Sequence, residues 1–374
     1  MPFLRILLLL IVPIALLRAD DTVNDRIRKI EARWKPAQTM ARLRVPGVSI
    51  ALIRGSKVEW VKPYGVKSAK GSKKMTENID VATLFQAASI SKPVAAVAAM
   101  HMSQYGNFGL DEDVNAKLKS WTVKDTAFTT NAKVTLRGLL SHTAGLTVHG
   151  FGGYAQGDPV PTITQILNGE KPANSDAILV DTTPGTKWRY SGGGYTVLQL
   201  MLQERLNKPF AEIMEMIVLN KLGMRDSTYA QPLPRPLHIR AAHAHDKEGQ
   251  PIKGGNWHTY PEQAAAGLWT TPADLARFLI EMQKSARGES NLVIEQKTAL
   301  EMLTVQKDRY GLGFRLKPGG GFGHGGSNAG FKCYLQADAR NGVVIMTNAD
   351  RGMDLIKEIV AAIESEYGWT HLKP

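Results

Sequence analysis

Cysteine is almost absent: Cys333 is the only one among 374 residues. No internal disulfide can form, so the chain must be held together by its core. Cys333 itself falls in a strand-like stretch, 331–335, where a thiol is ordinarily buried and inert. Acidic residues are scarce too, 34 against 46 lysines and arginines, for a formal charge of +12. The basic residues are dispersed apart from a cluster at Lys67, Lys70, Lys73 and Lys74, and no nucleic-acid motif accompanies them. That pattern argues against nucleic acid as a partner. It fits a solubilising surface with weak attraction to an anionic cell envelope. Beyond the N-terminus no apolar run reaches membrane-spanning length, and no internal repeat occurs.

What is present begins with Arg5, an apolar stretch over 6–17 and the small residue Ala19, the layout of a secretory signal peptide over residues 1–19. The stretch is short for a bilayer span and contains Pro13. An exported protein, periplasmic or secreted, is expected; Arg18 beside the cut leaves an uncleaved anchor as the alternative, and cleavage would remove Arg5 and Arg18 and leave a charge of +10. The whole chain is 43% hydrophobic, enough to bury a large core.

Apolar positions at Val23, Ile27 and Ile30 predict helix over 22–43. Runs at 48–53 and 58–61 flank Arg54-Gly55-Ser56-Lys57 and predict a hairpin. A strand-like run, 81–88, leads into an alanine-rich helical run, 94–102. The middle, roughly 107–265, is loop-rich, with its clearest helices at 135–140 and 195–206. Thr271-Pro272-Ala273-Asp274 opens another helix: threonine at the cap, proline first, an acid third. Strands follow at 310–316, 331–337 and 343–347, with Asn341-Gly342 as a tight turn. Ile356, Ile359, Val360 and Ile363 form the apolar stripe of a last helix that packs on the sheet. The expected fold is α/β (α+β): an antiparallel sheet built from both chain ends and flanked by helices, with a mainly helical region inserted. The α/β part is 20–88 and 266–374, and the helical part 89–265.

Three segments carry chemistry. In Ser89-Ile90-Ser91-Lys92, serine and lysine stand one turn apart at the head of a helix. There the hydroxyl gains from the helix dipole and the amine can reach its proton. Pro93 lacks an N–H and fits only a first turn, which agrees with Ser89 at the helix start. Tyr190-Ser191-Gly192 follows Pro184-Gly185 and precedes a helical run, so Tyr190 is expected on a loop entering a helix. Its phenol becomes a base only if a cation such as Lys92 lowers its pKa. In Gly323-His324-Gly325-Gly326-Ser327, glycines let a substrate lie against the backbone, and the Ser327 N–H can donate to an oxyanion. His142 reads as a packing residue bonded to backbone. His243, His245, Asp246 and His258 lack the ligand spacing of a zinc hydrolase. Gly-x-Ser-x-Gly, the nucleophile turn of the α/β-hydrolases, does not occur.

The order Ser-x-x-Lys, Tyr-x-(Asn), (Lys/His)-x-Gly resembles the class C β-lactamases, the DD-peptidases of that type and the family VIII carboxylesterases. Similar linking segments are Leu139-Leu140-Ser141-His142-Thr143-Ala144-Gly145-Leu146, Ala266-Gly267-Leu268-Trp269 and His324-Gly325-Gly326-Ser327-Asn328. The resemblance implies a site in the cleft between an α/β and a helical region. Ser89 would be the acylated nucleophile, Lys92 and Tyr190 the proton-transfer pair, and the Ser89 and Ser327 N–H groups the oxyanion hole. His324, Gly325, Gly326 and Gly192 would line the substrate site, and no metal or organic cofactor is implied. Two departures stand out. Gly192 replaces an asparagine that holds a substrate amide, and His324 replaces a lysine that binds a carboxylate, giving a shorter, pH-dependent cation. Both lean toward ester substrates, with β-lactams, D-alanyl peptides and D-amino-acid amides still open. The rival reading is a non-catalytic peptidoglycan- or penicillin-binding protein.

Overall fold

The computed structural model describes residues 14–69 and 77–374. Most of the expected leader, residues 1–13, lies outside the described residues, as do Lys70, Lys73 and Lys74. Helix α1 is Ile14–Trp34 and α2 is Pro36–Leu43, so the helix expected over 22–43 is broken. Lys35, with a left-handed φ of 49°, makes the break, and Pro36 starts the second helix. β1 (Gly47–Arg54) and β2 (Lys57–Gly65) form the expected hairpin. Of the strand-like run 81–88 only β3 (Phe85–Gln86) is strand.

Then come α3 (Ser91–Gln104), α4 (Leu136–Ser141), α5 (Ile163–Asn168), α6 (Gly192–Leu206), α7 (Phe210–Met214) and α8 (Gln263–Ala266). The two-residue strand β4 (Trp269–Thr270) pairs with β3. α9 (Pro272–Ala286) begins where the sequence indicated, with the Thr271 hydroxyl accepting the Asp274 N–H. α10 (Gln296–Met302) precedes β5 (Arg315–Lys317), β6 (Gly321–Asn328), β7 (Phe331–Ala337), β8 (Gly342–Thr347) and α11 (Gly352–Tyr367).

The main sheet runs β2-β1-β8-β7-β6-β5, antiparallel throughout. All six strands come from 47–65 and 315–347, so both chain ends build it. Val48, Ile50 and Leu52 of β1 point to the outer face, under α1, α2 and α11, whereas Ala51 and Ile53 point inward toward α9. That alternation is the period-two pattern of a strand buried on both faces. Ile356, Ile359, Val360 and Ile363 lie buried in the outer core, each contributing roughly 1.5–3 kcal/mol of burial.

One further expectation fails locally. The strand expected over 310–316 is reduced to Arg315–Lys317, because Asp308, Arg309 and Gly313 have positive φ and turn the chain. β6 is a full strand although four of its eight residues are glycine. Its ladder with β7 supplies what its side chains do not. Among the described residues no helix is long and apolar enough to cross a membrane.

Candidate active site

The turn Ala88–Ile90 delivers Ser89 to α3. Ala88 has a φ of 51°, a conformation that costs a non-glycine residue on the order of 1 kcal/mol and persists only when locked. The lock is visible. Ser91 donates its hydroxyl to the Ala88 carbonyl (2.6 Å) and accepts from Leu268 N–H (2.9 Å), while Ala87 N–H bonds the Leu268 carbonyl (2.8 Å). Ser89 is left half-buried, lining a cleft of about 400 Å3.

Lys92 is 2% exposed, and its Nζ lies 3.1 Å from Ser89 Oγ and 2.7 Å from the Ala265 carbonyl. Among the described residues no carboxylate pairs with it, and burial drives its pKa down to about 7. A lysine in that range is neutral often enough to accept a proton.

Tyr190 is held from both sides by His142. Arg189 N–H bonds the His142 carbonyl (2.8 Å), and Ser191 N–H bonds its Nδ1 (3.1 Å). The Ser191 hydroxyl then caps α6 by accepting Gly194 N–H at 2.9 Å. Lys92 Nζ sits 4.9 Å from the centre of the Tyr190 ring, over its face. Among the described residues the buried hydroxyl has no partner at full hydrogen-bond geometry, and the nearby Ser89 hydroxyl acts to favour its ionised form. The expected lowering of the phenol pKa by Lys92 is therefore corrected. Burial dominates and pushes it up, so Tyr190 keeps its proton.

β6 closes the other side. β5 pairs only with Gly321–Gly323, which leaves the edge of residues 324–328 unpaired and facing the Ser89 turn. A Cβ on Gly326 would stand 2.3 Å from the Ala87 carbonyl oxygen, so glycine is what allows this approach. Gly325, Gly326 and Ser327 line the cleft with Ser89. His324 lies there too, but its expected role as a cation is corrected. It is buried, donates from Nδ1 to the Gly325 carbonyl (2.6 Å) and accepts at Nε2 from the Tyr310 hydroxyl (2.9 Å). Burial, reinforced by Lys92, pushes its pKa down to about 3, so it is neutral.

Gly192 is buried at the start of α6, its N–H bonded to the His149 carbonyl (3.0 Å). A Cβ there would meet Phe151 at 3.0 Å and the His149 carbonyl at 3.1 Å. The loop 147–151 fills the space a longer side chain would need, and Val148 bears a φ of 60°, strained for a β-branched residue.

The sequence reading missed His149, Trp188, Tyr310 and Arg315, which line the cleft. The His149 ring lies 4.9 Å from that of Tyr190, and Tyr310 holds His324. Arg315 is exposed, and among the described residues its guanidinium has no ion pair or hydrogen bond. Only its place beside Gly323 across the β5–β6 ladder brings it in, and no local motif marks it. Elsewhere, His245 has both ring nitrogens engaged, by the Asn348 carbonyl and Ala69 N–H. Cys333 is buried with its pKa pushed up to about 12. Glu262, just before α8, is buried with both carboxyl oxygens unpartnered, and its pKa rises to about 8.

A family model described as Beta-lactamase matches residues 30–364. A beta-lactamase of Providencia stuartii is 28% identical over 245 residues, covering 65% of this chain and 57% of its own. Esterase EstB of Burkholderia gladioli is 25% identical over 225 residues, covering 58% of this chain and 54% of its own. The chain thus spans little more than half the length of these curated relatives. Among solved structures, EstCE1, a hydrolase with promiscuous acyltransferase activity, superposes with a TM-score of 0.72 at 21% identity, covering 92% of this chain and 99% of that one. At that identity the likeness concerns the fold, an antiparallel sheet with helices on both sides.

Proposed function

The chain belongs to the beta-lactamase family, and on that premise we propose that it is a serine hydrolase opening an ester or amide bond through an acyl intermediate on Ser89. The observation that carries this reading is the buried Lys92 amine, 3.1 Å from Ser89 Oγ with a pKa near 7 and no acid beside it. Ser89 Oγ attacks the substrate carbonyl carbon while neutral Lys92 takes its proton. The Ser89 and Ser327 N–H groups hold the oxyanion. Tyr190, still protonated, gives its proton to the departing alcohol or amine and recovers one from the Lys92 ammonium. Water then attacks the acyl group, loses a proton to Lys92, and Ser89 leaves with its hydroxyl restored.

Esters fit best, because Gly192 offers no side-chain amide and the loop 147–151 occupies that space. A second reading, a carboxylate-bearing amide such as a D-peptide or β-lactam, is favoured by the unpaired Arg315. Incubation with p-nitrophenyl acetate, with mass spectrometry of Ser89, tests the proposal. Turnover lost in Ser89→Ala is expected, and equal turnover by the variant would overturn it. Arg315→Ala separates the two substrate readings: it should leave neutral esters unchanged and weaken carboxylate-bearing substrates about tenfold.

A further inference from the structure

The cleft that Ser89 and Tyr190 line is also bounded by Arg315, Lys317, Gln336, Met353 and Pro374. Arg315 and Lys317 of β5 face Gly323 and Gly321 across the ladder, and Gly323 and Gly325 face Gln336 and Tyr334 of β7. Residues directly opposed across a ladder share a face. Three glycines of β6 therefore leave a strip of outer face without side chains, flanked by the β5 cations and Tyr334. Beyond α11, residues 371–373 reach Lys317 and Tyr334 at its borders.

Residues 369–373 are tied along their length. Trp369 stacks on Tyr367 at 4.6 Å, and the His371 ring lies 3.0 Å from the Asp338 carboxylate. Leu372 is fully buried, with its N–H donating to Glu364 (2.8 Å). The Tyr334 hydroxyl stands 2.9 Å from the Leu372 carbonyl and 2.8 Å from that of Lys373, donating to one at a time. Lys317 donates to the Lys373 carbonyl and lies 3.5 Å from that of His371, so its amine serves the tail. Of these anchors Tyr334 and Lys317 are themselves cleft residues, and Pro374 lies at the cleft wall with them.

We infer that residues 369–374 are a specificity wall: they close one end of the cleft and limit how far a substituent beside the scissile carbonyl can extend. The inference rests on the hydrolase reading above. Among the described residues no hydrogen bond or cation–ring contact joins the tail to Ser89, Lys92 or Tyr190, so its effect is on substrate length and not on chemistry.

The test is a series of p-nitrophenyl esters with acyl chains of increasing length, together with acetates of alcohols of increasing length. They are compared for the full chain, a variant lacking Lys373 and Pro374, and Pro374→Trp. In one of the two series, deletion should raise kcat/KM for the long members about tenfold or more relative to acetate. Pro374→Trp should depress the same members, with the acetate rate held within about twofold. If the shortened chain does not fold, Pro374→Trp alone decides. Length profiles unchanged in every folded variant would overturn the wall while leaving the hydrolase reading intact. Absence of turnover and of a Ser89 adduct in the full chain would sink both.

Discussion

On the outer face of the sheet, α11 lays Ile356, Ile359, Val360 and Ile363 on β7 and β8, and the charges stay at the rim in pairs such as Arg26–Glu59 (3.0 Å) and Arg42–Glu358 (2.6 Å). On the inner side, among the described residues, Lys92 and Glu262 are buried without an ion partner, and the hydroxyl of Tyr190 and Nε2 of His142 have no hydrogen bond. Both regions exclude water, but to different ends. Outside, exclusion of water stabilises apolar side chains. Inside, it destabilises charge, and that is what brings a lysine amine to about 7 and keeps a phenol protonated. Unsatisfied buried groups cost stability and cluster where chemistry is done.

Substitutions should separate the two regions. The largest effect is expected from Ser89→Ala, which should lower kcat/KM by about 10⁴-fold or more with little change in Tm. Lys92→Ala should cost about 10²- to 10⁴-fold. In the wild type, kcat/KM should rise with pH through about 7, since only the neutral amine accepts the serine proton. A flat profile between pH 5 and 9 would remove Lys92 from the role of base. On the outer face, Ile359→Ala should destabilise by about 2–5 kcal/mol in denaturant titration, with kcat of the folded fraction unchanged. An activity loss as large as that of Lys92→Ala would erase the distinction between the faces. The smallest effect is expected at Glu262. Its folded pKa of about 8 stands above an ordinary 4.5, so the folded state keeps a proton that the unfolded chain releases. Stability is then full below pH 4.5 and falls as pH rises to about 8. Glu262→Gln should flatten that fall, a gain at pH 8 on the order of a few kcal/mol at most. An unaltered slope would show that the carboxyl is not isolated from water.

Legibility followed the range of the interaction. The α9 cap Thr271-Pro272-Ala273-Asp274, the hairpin at 54–57 and the α11 stripe were readable because each rests on contacts within a few residues. Ser89 at the start of a helix with Lys92 one turn on was readable for the same reason. β6 was not legible as a strand, because its ladder with β7 rather than its glycine-rich sequence defines it. Arg315 enters the cleft only through pairing with Gly323, and Pro374 only through Tyr334 and Lys317.

By itself the sequence determined which groups were available: one hydroxyl, one amine, one phenol, a glycine-rich segment, and the order in which they occur. The tertiary structure decided their protonation. Whether His324 is a cation, or Tyr190 a base, depends on how much water and which groups surround each ring, and among these Lys92 beside His324 and Ser89 beside Tyr190 come from more than a hundred residues away in the chain. A residue's identity sets its ordinary pKa, whereas desolvation by the packed fold sets the one at which it works.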